Sequence, residues 1–135
     1  MSNTRKGGVA GAHYRRGYLR STAWFGRRDR YFREVPDSDR CVVCLRREKN
    51  PRRSLELHHV SYDGVRFENG KWVAAEADED LMPMHPLCHE QVHLAIERDI
   101  ALASLITRRE STRRAIRVVR RRLIALIQAE AGGSW

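Results

Sequence analysis

Apolar positions recur along this chain at two spacings, and the switches between them divide it into elements. Ser21 is placed to cap a helix over residues 22–34, where Trp24, Phe25, Arg28, Tyr31 and Phe32 form an aromatic face before Pro36 ends it. Residues 54–60 alternate with period two and predict a short strand. Leu55 and Leu57 share one face with His59, and Glu56 and His58 lie on the other. Asn69-Gly70 predicts a tight hairpin joining Val65–Glu68 to residues 71–75. From His89 the spacing turns helical, and Val92, Ile96, Ile100 and Leu105 carry one helix to about Thr107. A last helix is expected from a cap at Ser111 or Thr112 to a stop at Gly132-Gly133. Its stripe of Ile116, Val119, Leu123 and Ile127 has two open partners, the core of the fold or a second subunit, which would make a homodimer through this helix. The sum is a small α+β domain.

At 135 residues, 41% of them hydrophobic and 32% charged, the chain has room for one core. No apolar run reaches the roughly 18 residues of a membrane span, and the start lacks a signal-peptide pattern, so neither membrane nor export is expected. Three cysteines cannot all pair within one chain, and two stand as C-x-x-C. Both facts point to metal in a reducing compartment, hence a cytoplasmic protein.

Charge adds a partner. Twenty-six basic residues against seventeen acidic ones give +9, which suits a polyanion such as nucleic acid. Codon bias toward Arg is a bland alternative, but the positive charge is not spread evenly. Residues 1–40 carry ten basic and four acidic groups and residues 108–135 eight and two, whereas the middle carries eight and eleven. Residues 1–20 read as a flexible basic arm. Arg108, Arg109, Arg113, Arg114, Arg117, Arg120, Arg121 and Arg122, set against Glu110 alone in that run, are too one-sided for an ordinary solvated face and read as phosphate contacts.

Five of the six histidines and all three cysteines fall between positions 41 and 93, in four clusters. Cys41-x-x-Cys44 and His85-x-x-Cys88 have the spacing of two zinc knuckles, which together close a Cys3His tetrahedron. His89 competes with His85 for the fourth position. A Cys2His2 finger and a zinc deaminase both fail on spacing, since His58 and His59 are adjacent and the C-x-x-C comes first. His89 and His93 lie one helical turn apart and can clasp one ion. His58 and His59 point to opposite faces of a strand, so one can bind metal while the other moves a proton.

The sequence Cys41-x-x-Cys44, then Leu57-His58-His59-Val60, then Leu81-Met-Pro-Met-His85-Pro-Leu-Cys88-His89-Glu-Gln-Val-His93 resembles the zinc-bearing branch of the HNH endonucleases, of the ββα-metal (His-Me finger) superfamily. The resemblance covers about residues 40–95, and the preceding Tyr18–Trp24 stretch is also similar. It implies a ββα-metal core with a structural zinc site and a preceding N-terminal helix, in a nuclease domain over residues 21–107, with an Arg-rich helical extension over 108–135. It implies His58 as a metal ligand, His59 as the general base, His89 at the family's central position and His93 as the last ligand. The implied cofactors are a structural Zn2+ and a catalytic Mg2+, Mn2+, Ni2+ or Zn2+. The implied activity is hydrolysis of phosphodiester bonds in DNA, in preference to RNA. Two departures stand out: His85 occupies a usual cysteine position, and His89 stands where many members carry Asn. The second gives an all-imidazole site, which favours transition metals over magnesium. A different class of reading is a catalytically silent, zinc-stabilised DNA-binding module on the same scaffold.

Overall fold

In the computed structural model of this chain, residues 15–133 are described; residues 1–14 of the expected basic arm, and residues 134–135, lie outside them. Residues 15–19 form a helical turn where the sequence predicts a continuing arm. The reason is Tyr18, which is fully buried and packs beside Trp24 and Trp72. Ser21 joins this turn to helix α1 (Thr22–Glu34): its hydroxyl donates to the Tyr18 carbonyl at 2.6 Å and accepts from the Trp24 amide at 3.1 Å. Within the expected aromatic face, Trp24 and Tyr31 are buried but Phe25 is exposed. One residue step turns a helix by about 100°, so Phe25 cannot share the face that buries Trp24.

Pro51–Ser54 makes one helical turn, α2, and strand β1 is accordingly confined to Glu56–His59. Strands β2 (Val65–Glu68) and β3 (Lys71–Ala74) form the hairpin around Asn69 and Gly70. Both turn residues have positive φ, 50° and 75°, which Asn and Gly tolerate and most side chains do not. A 3-10 turn (Asp78–Asp80) leads into strand β4 (Leu81–Met84). Strand β4 pairs antiparallel with β1, setting His58 opposite Met82 and His59 opposite Leu81. Pro83 is tolerated in this two-stranded ribbon, where its carbonyl accepts from the Val42 amide at 2.9 Å.

The helix expected from His89 to about Thr107 is broken. Helix α3 (Pro86–Arg98) ends at Asp99, whose backbone leaves the helical region, and a single turn, α4 (Ile100–Ala103), follows. Ile100 and Leu105 continue the periodic pattern but are exposed, so the periodicity is not matched by burial there. Helix α5 (Arg108–Gly133) then packs against α3.

One expectation about α5 is corrected, and one left open is answered. Its cap is Thr107, not Ser111 or Thr112: the Thr107 hydroxyl accepts from the Glu110 amide at 3.1 Å. Thr107-x-x-Glu110 has the capping-box sequence, and Ser111 and Thr112 are buried one turn inside the helix. Thr107→Ala should cost about 1 kcal/mol of stability, measured by urea denaturation. Of the two partners open to its apolar stripe, the first half takes the core. Ala115, Ile116 and Val119 join Cys41, Val43, Leu55, Met84 and Val92 in one of the two core clusters. The fold's own core is therefore the partner of the first half of the stripe, while Ile127 at its far end is 65% exposed. The second cluster gathers Tyr18, Trp24, Tyr31, Leu57, Val65 and Leu81. The chain crosses between the two at β1, with Leu55 just before the strand in the first cluster and Leu57 within it in the second. Among the described residues, no helix is long and apolar enough to cross a membrane.

Candidate functional site

The cysteine cluster ties the loop before α2 to the start of α3. Cys41 and Cys44 lie in a tight turn in which the Leu45 amide donates to the Cys41 carbonyl at 2.9 Å. Leu45 itself takes a positive φ of 67° to close the turn. The turn is braced from α5: Arg120 donates to the Val43 carbonyl at 2.9 Å and to the Val42 carbonyl at 2.6 Å. Pro86 starts α3, which brings His85 and Cys88 to the same place. The ligand atoms of Cys41, Cys44, His85 and Cys88 all lie within 4.8 Å of one another. Zinc–sulfur and zinc–nitrogen bonds of about 2.3 and 2.1 Å give tetrahedral edges of about 3.5–3.8 Å, so the set fits a structural zinc.

His85, rather than His89, takes the fourth position. Its Nδ1 stands 3.3 Å from Cys44 Sγ, and its Nε2 stands 2.8 Å from the Glu48 carboxylate, which orients the ring. Burial raises the Cys41 thiol, but backbone amides of Cys44, His85 and Val43 outweigh it and bring the group down to about 7. Cys88 is pushed up to about 12, by burial and then by the charge of Cys41 and Cys44. Thiolates crowded this closely repel one another until a cation neutralises them.

The second cluster is made of imidazoles only. Strand β1 supplies His58, and α3 supplies His89 and His93 from one face. His58 Nδ1 stands 3.2 Å from His89 Nε2, and His93 Nε2 stands 3.0 Å from the same atom. Around an ion with nitrogen bonds of about 2.1 Å, neighbouring ligands stand about 3.0–3.4 Å apart, so these rings fit one divalent metal. Each of two rings has its other nitrogen engaged. His89 Nδ1 is 2.8 Å from a Glu56 oxygen, and His58 Nε2 is 3.0 Å from the Thr112 hydroxyl. Such contacts turn the remaining lone pair toward the centre of the cluster, where an ion would be held. Burial, then the Arg108 charge and the other histidines, lowers His58 to about 2. Burial and His89 lower His93 to about 4. Both rings are neutral at pH 7, the state that binds metal.

His59 projects away from this cluster and is also buried, which strand alternation alone does not predict. Tyr62 stacks flat on it, with centroids 4.2 Å apart, and Trp24 approaches at 4.7 Å. Its Nε2 is 2.7 Å from Glu76 Oε2. Burial raises the Glu76 carboxyl, but hydrogen bonds from His59 and Tyr18 outweigh it and hold the group below the usual carboxylate value.

His58, His59, His89 and His93 border one open cleft of about 480 Å³, which Arg15, Arg16 and Arg108 also line. Arg108 Nε donates to the His59 carbonyl at 2.8 Å, and the guanidinium groups of Arg108 and Arg15 each stand 5.9 Å from the Tyr62 ring centroid. The eight arginines singled out in the sequence thus divide. Arg108 alone among them lines the cleft. Arg109 is tied to Asp80 and the Glu79 carbonyl, and Arg120 to the cysteine turn. Arg113, Arg114, Arg117, Arg121 and Arg122 are exposed on α5, and Arg114 and Arg122 border a separate cavity between α3, α4 and α5. Sequence reasoning missed Arg15, Arg16, Glu48, Glu56, Glu76 and Thr112. Glu56 carried a legible signal, since it shares the His58 face two residues earlier; the others are brought in only by tertiary packing. In comparisons with known proteins, no family model, no curated protein and no solved structure matches this chain.

Proposed function

We propose that this chain is a metal-dependent endonuclease of the HNH type that hydrolyses phosphodiester bonds of DNA. The observation that carries the reading is the single cleft bordered by the three-imidazole cluster, by His59 and by three arginines. Strands β1 and β4 and helix α3 take the parts of the strand, strand and helix of a ββα-metal core. His58, His89 and His93 would hold a divalent ion, which would supply charge neutralisation at the phosphate and the leaving oxygen. Arg15, Arg16 and Arg108 hold the flanking phosphates. His59 takes a proton from the attacking water, whose oxygen bonds to phosphorus as the 3′-oxygen leaves. The departing 3′-oxygen takes a proton from solvent water, so the products carry a 5′-phosphate and a 3′-hydroxyl.

Incubation with supercoiled plasmid tests the reading, with Mg2+, Mn2+, Ni2+, Zn2+ or a chelator present. Nicked or linear product is expected with metal and none with chelator. Binding without cleavage in every metal would replace the reading by the catalytically silent DNA-binding module.

Phosphate contact by α5 has its own test. Truncation before Arg108 removes core residues and should unfold the chain, so point substitutions are the informative route. Arg113, Arg117 and Arg121 lie on one exposed face. Changing all three to Gln should flatten the dependence of log affinity on log salt by about 2–3 units, at about 0.9 for each phosphate no longer neutralised. An unchanged slope in the folded variant would make that face a solvated one.

A further inference from the structure

Among the described residues, none in the acidic stretch 76–80 belongs to either Cys/His cluster, yet its first residue is the one buried member. Glu76 is 3% exposed and its Oε2 faces two groups at 2.7 Å, His59 Nε2 and the Tyr18 hydroxyl, which donates to it. Its backbone is fixed as firmly. Arg27 donates to the Glu76 carbonyl through Nε at 3.2 Å and Nη2 at 2.9 Å, and pairs with Asp78 at 2.6 Å. The preceding residue is held by Gly64, whose carbonyl accepts from the Ala75 amide at 2.9 Å. A Cβ on Gly64 would stand 2.2 Å from the Ala75 carbonyl oxygen and 2.5 Å from the Glu76 nitrogen, so only glycine allows this approach. Three separate segments thus converge to hold one carboxylate against one imidazole nitrogen.

We infer that Glu76 is the positioning residue of His59: it accepts the Nε2 proton, fixes the tautomer whose Nδ1 carries the lone pair, and stabilises the imidazolium formed when Nδ1 takes a proton from water. The imidazole has two nitrogens, and a carboxylate can only accept, so its partner nitrogen must be the one bearing hydrogen. The rings of Tyr62 and Trp24 packed against it oppose a flip of the imidazole. The catalytic half of this inference rests on the nuclease reading above, whereas the tautomer does not.

Long-range 1H–15N NMR of the zinc-loaded full chain with 15N-histidine reads the tautomer directly, with His59→Ala used to assign the signal. Hydrogen on Nε2 is expected; hydrogen on Nδ1 in the wild-type protein would overturn the inference, whatever the variants do. Glu76→Gln keeps the shape and removes the charge, and should lower kcat for plasmid cleavage about 10- to 100-fold with KM nearly unchanged. A folded Glu76→Gln protein with wild-type kcat would also overturn it. If the wild-type protein cleaves nothing in any metal, the nuclease reading fails, and the tautomer still decides the pairing.

Discussion

His59→Ala is expected to lose cleavage by a factor of about 10² to 10⁴ while keeping both metals and most of its affinity for DNA. The selectivity of this loss follows from placement. His59 lines the cleft but points away from His58, His89 and His93, and it belongs to neither ligand set. His58→Ala should behave differently. It removes a member of the three-imidazole cluster and a buried contact to Thr112, so cleavage and binding of the second metal should fall together. Metal content by elemental analysis, run beside the plasmid assay, separates the two variants. If His59→Ala abolished metal binding and His58→Ala stayed active, the two roles would be reversed.

The second large effect concerns the cysteine site, where removal of zinc should unfold the chain. Cys41 lies inside the α5-bearing core cluster, and Cys44 and Cys88 pack against it. The site joins residues more than forty positions apart in a domain whose buried residues divide into two small clusters. Structural zinc contributes about 10–16 kcal/mol to folding in zinc-finger peptides, comparable with or above the roughly 5–15 kcal/mol by which whole domains are stable. Cys44→Ser, or exhaustive chelation of the native chain, should therefore abolish the cooperative thermal transition seen by circular dichroism. A chelated protein that melts within a few degrees of the loaded one would show that packing alone carries the fold.

Local features of this fold were readable where a short stretch of sequence decides the structure. Ser21 caps its helix and Asn69-Gly70 turns its hairpin because each depends on two to four adjacent residues. The Cys41/Cys44 and His85/Cys88 spacings were readable for the same reason, and so was the sharing of one helix face by His89 and His93. Competition between near-equal local signals produced the misassigned cap. Thr107, Ser111 and Thr112 can all cap; Thr107 does so, while Ser111 and Thr112 are buried within the helix, Thr112 with its hydroxyl 3.0 Å from His58 Nε2. Periodicity overran at Ile100 and Leu105 because spacing records a face but not whether another element covers it. The arginines show the same limit. Charge density marked α5 correctly as basic, yet Arg109 and Arg120 turn inward to carbonyls that lie far away in the chain. Glu76 was unreadable because its role depends on Gly64, Arg27 and Tyr18 converging from three distant segments.

The most direct measurement follows plasmid cleavage by the zinc-loaded chain, freed of weakly bound metal, as Mn2+ or Ni2+ is titrated in and bound metal is counted. Cleavage should be absent at the start, rise as one further ion per chain binds, and be lost in His58→Ala with the cysteine site still filled. Cleavage that needs no ion beyond the one at Cys41, Cys44, His85 and Cys88, or that persists unchanged in His58→Ala, would contradict the account.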